Sequence, residues 1–221
     1  MTSALRKARS SAVVVATATA AMVGLAGGAG AQTTDDTPSR AAVVNSATAA
    51  TPRAAAAAAV DYATWQRDVR KVIDEARPYV EQRIAGAGGQ KQAIVLDIDN
   101  TSLETHFQLF PPTPAVAPVL DLARYAHDRG VGVFFITARP DVLEQVTRGN
   151  LVHVGYPVTG LYQRRLDELF GDTAEYKTAK RVDIEAKGYT IIANIGNNTS
   201  DLVGGHADRT FKLPDYDGQL S

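Results

Sequence analysis

The sequence predicts an α/β fold: a doubly wound, Rossmann-like parallel sheet with helices on both faces, preceded by an N-terminal helix and carrying a small or minimal cap. Two observations predict it. Five short runs, at 93–98, 131–137, 158–163, 190–196 and 209–213, are almost continuously apolar, as strands covered on both faces must be. Between them lie patterns of helical period, at about 115–128, 141–152 and 175–187. Strands that alternate with helices in this way build βαβ units, and no internal repeat suggests another architecture.

Ahead of the first run, Tyr62, Trp65, Val69, Val72, Ile73, Ala76 and Val80 recur at helical spacing, with Asp61 placed to cap the helix. Pro78 interrupts the pattern and is expected to kink or restart it, and the glycines of 86–89 close it. The folded domain is therefore expected over 60–221.

The residues before it read as an address and a tether. Arg6, Lys7 and Arg9 precede a small, apolar stretch over 11–25, and Ala29-Gly30-Ala31 has the form of a cleavage site. A secretory signal peptide over 1–31 is expected, and the stretch is too rich in Thr, Gly and Ala for a strong membrane anchor. Residues 32–59 are Ala, Thr, Ser and Pro-rich, lack aromatic residues and end in alanines, which is the composition of a linker. The expected location is secreted, extracellular or in the cell envelope, with no membrane contact after cleavage.

Composition narrows the chemistry. The 221 residues carry 23 basic and 24 acidic side chains and no cysteine. Loss of 1–31 removes three basic side chains and leaves a charge of −4. Nothing in that balance suits binding to a nucleic acid duplex. Without cysteine there is no disulfide, thiolate metal site or thiol nucleophile, so carboxylates, hydroxyls, histidines, lysines or a bound metal must do any catalysis. The histidines are scattered, and His127, His153 and His206 form no metal-binding spacing.

In a doubly wound sheet, ligands bind outside the carboxyl ends of the strands. The first run ends in Asp97-Ile98-Asp99-Asn100-Thr101, the second in Thr137-Ala138-Arg139, and the fourth in Gly196-Asn197-Asn198-Thr199-Ser200-Asp201. Lys177 opens the helix leading into the fourth. Each feature alone is common: paired aspartates make turns and caps, and a lone lysine is usually solvated. Their order is what points to a site.

That order resembles the haloacid dehalogenase superfamily of phosphatases and phosphotransferases. The wording around it is similar to the secreted acid phosphatases grouped with plant vegetative storage proteins. The resemblance runs through 94–103, Phe135-Ile136-Thr137-Ala138-Arg139-Pro140, 176–181, 194–202 and Phe211-Lys212-Leu213-Pro214, essentially the whole domain. It implies a magnesium-dependent phosphomonoesterase acting through an aspartyl-phosphate. Asp97 would be the nucleophile and Asp99 the general acid and base. Thr137 would bind a phosphoryl oxygen, and Lys177 would offset negative charge. Asn100, Thr101 and Arg139 are expected at the substrate, although an arginine at a strand-to-helix turn is more often a surface residue.

Mg2+ suits hard oxygen ligands, and the expected set is Asp97, Asp99, Asn197 and Asp201. The chain departs from the family pattern at Asn197, where aspartate usually follows the glycine. One negative charge is lost, so weaker metal binding is expected, and replacing Asn197 by aspartate is expected to tighten it. Lys180 is a rival for the catalytic lysine. His106, Phe107 and Phe110 would either stack on a substrate or pack their own loop.

About 30 residues separate the first motif from the second run, and about 40 separate Thr137 from Lys177, too few for a large inserted cap. An open site for a small-molecule phosphate ester is expected. Two other readings stay open: a catalytically impaired relative serving as a binding or storage protein, and a receiver domain. The signal peptide and the aspartate two residues after the nucleophile count against the receiver domain.

Overall fold

The computed structural model describes residues 59–220. The expected signal peptide and all of the expected linker except Ala59 lie outside the described residues. Helix α1, Tyr62–Ala85, starts where expected: the Asp61 carboxylate accepts the Thr64 N–H at 2.8 Å. Pro78 does not restart it; α1 runs unbroken across the proline. Trp65, Val69, Ile73, Ala76 and Val80 are buried on one stripe that continues past Pro78, while Asp74 and Pro78 lie on the exposed side. Water there can satisfy the carbonyl that loses its partner, and burial on the opposite stripe holds both halves to the same core.

The sheet contains β1 (Gln92–Leu96), β2 (Gly132–Pro140), β3 (Gly160–Arg164), β4 (Thr190–Gly196) and β5 (Thr210–Lys212). All pairings are parallel and the spatial order is β3-β2-β1-β4-β5. Helices α2 (Ala117–His127), α3 (Glu144–His153), α4 (Thr173–Glu185) and the short α5 (Thr199–Leu202) complete the described chain, with a 3-10 turn at Asp141–Leu143 before α3. The expected helix at 141–152 is thus split between the turn and α3.

Alternation along the strands fills two layers. Ile94, Leu96, Val133 and Phe135 join α1 and α2 in one core; Ala93, Val95, Phe134 and Ile136 face Tyr176 and Ile184 of α4 in the other. The β1–β4 register shifts between Ala93 and Ile94, so both Ile192 and Ala193 enter the first core.

Strand order reverses beside β1, the central strand, and its carboxyl end opens onto the crevice where such sheets bind ligands. Between β1 and α2 there is no helix or named strand, only bridges of Leu103 with Asp99 and Ala115. This minimal cap is fastened down. Glu104 accepts from Tyr62 Oη and Gln66 Nε2, and Phe107 packs against Tyr62 and Trp65 with ring centroids 4.9 Å from each. Asn150 of α3 exchanges two hydrogen bonds with the Thr113 backbone.

Candidate active site

Directly after β1 the chain turns back sharply. The Ile98 carbonyl receives the N–H groups of Ser102 and Leu103, and Asn100 adopts a left-handed φ of 55°, a region that asparagine tolerates. The Ser102 hydroxyl donates to the Asp97 carbonyl, and the buried Tyr156 hydroxyl donates to the Ser102 carbonyl at 2.9 Å. The turn holds Asp97 and Asp99 at the strand end.

A cleft of about 370 Å³ opens there, and its walls include Asp97, Asp99, Asn100, Thr137, Lys177 and Asp201. Three sequence-distant elements meet at one ammonium. Lys177 Nζ, on α4, lies 2.6 Å from Asp97 Oδ1 and 2.5 Å from Asp201 Oδ1, and all three side chains are buried. Burial pushes the Asp97 carboxyl up to about 7; Lys177 opposes the rise and Asp201 adds to it. Burial pulls the Lys177 ammonium down, but its two carboxylate partners outweigh that and leave it above the ordinary lysine value.

Asp201 is fixed on every side. Its Oδ2 accepts the Asn198 N–H at 2.7 Å, and its carbonyl accepts from Asn194 Nδ2 at 2.8 Å and Arg181 Nη1 at 2.9 Å. Gly196 makes that packing possible, since a Cβ there would stand 2.4 Å from Asp201 Cβ and Oδ2. Arg181 is fully buried and also donates to the carbonyls of Gly205 and Val203.

Arg139, near the end of β2, reaches the site and grips Asp99 with two bonds: Nε to Oδ2 at 3.0 Å and Nη2 to Oδ1 at 2.7 Å. Thr137 is buried on the cleft wall, and its Oγ1 accepts the Arg139 N–H at 3.2 Å, which leaves the hydroxyl proton free to donate to a ligand.

Three expected residues sit elsewhere than the cleft wall, and Arg139 is one of them, meeting the site through Asp99. Thr101 and Asn197 are fully buried behind it, with the Thr101 hydroxyl donating to Asn197 Oδ1 at 3.2 Å. Asn197 Nδ2 donates to the Leu220 carbonyl at 2.9 Å. Lys180, the rival lysine, points away toward Glu168 and Asp183 at 3.8 and 3.6 Å. His106 and Leu109 line the cleft, Phe107 turns to the core and Phe110 is exposed. Thr105, Thr173, Asn198 and Ser200 also line it. Nothing in their local sequence marks them; only the shared strand-end location could have found Asn198 and Ser200.

These residues lie within stretches that known proteins share. The model of the HAD superfamily, subfamily IIIB (acid phosphatase), matches residues 24–108 and 112–219. The chain belongs to that family. It is 36% identical over 89 residues to the stem 28 kDa and stem 31 kDa glycoproteins of Glycine max, covering 38% of this chain but only 35% and 31% of theirs. The chain thus spans about a third of those relatives' length. It is 27% identical over 172 residues to acid phosphatase 1 of Solanum lycopersicum, covering 68% of this chain and 67% of that one. Among solved structures, the class C acid phosphatase from Bacillus anthracis shares the fold, with a TM-score of 0.57 at 17% identity over 71% of this chain and 80% of its own. The doubly wound sheet expected from the apolar runs is the fold of this family.

Proposed function

We propose that this chain is a secreted, magnesium-dependent phosphomonoesterase that hydrolyses small phosphate esters through an aspartyl-phosphate on Asp97. The observation that carries the reading is the Lys177 ammonium set between the buried Asp97 and Asp201 carboxylates on a cleft that also holds Thr137 and Asp99. A carboxylate can approach a phosphoryl group only where positive charge offsets the repulsion, and Lys177 supplies it.

In the first step an Asp97 oxygen forms a bond to phosphorus while the ester P–O bond breaks, and Asp99, entering the step protonated and with one oxygen released by Arg139, gives its proton to the departing oxygen. In the second, water attacks phosphorus, Asp99 takes the water proton, and the Asp97–phosphorus bond breaks to release phosphate. The Thr137 hydroxyl donates to a phosphoryl oxygen in both steps. Arg139 holds the Asp99 carboxylate in place.

The donors suit a hard divalent cation: two desolvated carboxylates share a single ammonium, so one negative charge stays uncompensated. Asp97, Asp201 and the Asp99 carbonyl would hold magnesium, which when bound supplies further positive charge to the phosphoryl oxygens. Asn197, with both ends of its amide engaged, would act from behind them. Secretion rests on the signal-like residues 1–31, and among the described residues no helix is long and apolar enough to cross a membrane.

Asn197 favours a second reading, that of a binding or storage protein on the same fold. The test is hydrolysis of a chromogenic phosphate ester by the mature chain, with magnesium and with chelator, beside Asp97→Asn. Metal-dependent turnover that Asp97→Asn abolishes is expected. No turnover with any divalent metal would leave the binding-protein reading, and turnover indifferent to Asp97→Asn would discard the aspartyl-phosphate.

A further inference from the structure

We propose that the main-chain carbonyl of Leu220 is a positioning group for the active site, and that it is the reason asparagine stands at position 197. One oxygen accepts from two side chains that the sequence places at the site. Asn100 Nδ2 donates to it at 2.8 Å and Asn197 Nδ2 at 2.9 Å, both buried. A carbonyl oxygen only accepts, so both amides must turn their NH2 groups to it and their oxygens elsewhere. Those oxygens then fix the site loops. Asn100 Oδ1 accepts the His106 N–H at 2.7 Å and the Thr105 hydroxyl at 3.3 Å, and both residues line the cleft. Asn197 Oδ1 accepts from Thr101. The turn after β1 and the loop after β4 are therefore tied to each other through a third segment.

That segment is built to hold the carbonyl still. Tyr216, Asp217 and Gly218 take consecutive left-handed φ values of 49°, 55° and 84°. The Leu220 N–H returns to the Asp215 carbonyl at 3.1 Å. Tyr216 Oη donates to Asp68 of α1 at 2.9 Å, Lys212 pairs with Asp215 at 2.9 Å, and the Leu220 side chain is buried in the core.

A carboxylate at 197 has no proton to donate. It would face the Leu220 carbonyl oxygen across a contact now spanned by a hydrogen bond, and a buried acceptor left without a donor is costly. The tighter metal binding expected of Asn197→Asp therefore requires the 215–220 turn to give way.

The stability arm of the test is independent of the proposed phosphatase activity; the kinetic arm rests on it. In the full-length chain, Asn197→Asp, Leu220→Ala and the double variant are compared by urea unfolding without metal or ester. Asn197→Asp is expected to lower the midpoint in the parent and to lower it clearly less in Leu220→Ala, where the carbonyl can retreat. Leu220→Ala is expected to cut kcat about tenfold or more with KM little changed, and Leu220→Met to restore it. If Leu220→Ala does not fold, Leu220→Val serves in the same cycle. Additive midpoints, or a destabilised Leu220 variant with parental kcat below its unfolding temperature, would overturn the proposal. If the parent itself turns over no ester, the activity reading fails and the midpoints alone decide this one.

Discussion

Arg139 holds both oxygens of Asp99, at 3.0 and 2.7 Å, so the side chain proposed as acid and base is oriented by a residue forty positions away. The grip is bidentate and planar, which lysine cannot reproduce. An acid matters most when the leaving group is poor. Asp99→Asn is therefore expected to slow alkyl phosphate esters by about 10²–10⁴-fold and nitrophenyl phosphate much less. Arg139→Lys and Arg139→Ala are expected to reproduce that leaving-group dependence in weaker form, about 10²-fold on the alkyl ester. Steady-state rates on the two ester types check it, and equal losses on both would mean that Arg139 acts on the phosphoryl group instead.

Lys177 pairs with two buried carboxylates at once, so its removal strands both. Lys177→Met is expected to abolish turnover and to cost about 3–5 kcal/mol of stability, the range for breaking a buried pair. Adding Asp201→Asn should restore much of the stability, since only one buried carboxylate then remains, but none of the activity. Urea unfolding of the two variants separates these effects.

The residues legible from the chain were those whose role sits in their own segment. Asp97, Asp99 and Thr137 follow apolar runs, and a doubly wound sheet brings strand ends together whatever lies between them. Only the family resemblance prefers Lys177 to Lys180, because both lie on one helix and it is packing that buries the first while the second reaches Glu168. Strand β2 continues through Arg139 to Pro140 because pairing with β3 resumes at Pro140–Arg164 after a register shift, which no local pattern announces. The Leu220 carbonyl had no signal at all: backbone oxygen is common to every residue, and its partners Asn100 and Asn197 lie 120 and 23 positions away.

Proton and metal are expected to compete at Asp97. Burial raises its carboxyl from 3.8 to about 7, so the native state holds this proton more tightly than the unfolded chain does. The stability that Asp97 contributes without metal is thus greatest below its ordinary value and is lost as pH rises to about 7. Apparent magnesium affinity should rise about tenfold per pH unit below that point and level off above it, as one proton leaves for each metal bound. Calorimetric titration from pH 5 to 8 checks the slope. Asp97→Asn, which carries no such proton, should flatten it.

Gly196→Ala tests how closely the fourth strand must approach Asp201. The added methyl would lie 2.4 Å from both Cβ and Oδ2 of that residue, far inside van der Waals contact. Asp201 has little room to yield, because its carbonyl is held by Asn194 and Arg181 and its carboxylate by Lys177 and the Asn198 N–H. Overpacking of this kind typically costs about 1–3 kcal/mol. The displacement falls on the carboxylate rather than on the sheet core, so the loss in activity should exceed what unfolding explains. At a temperature where Gly196→Ala remains folded, its kcat and its magnesium affinity should both fall, whereas Gly149→Ala, where a methyl meets nothing within 4 Å, should change neither.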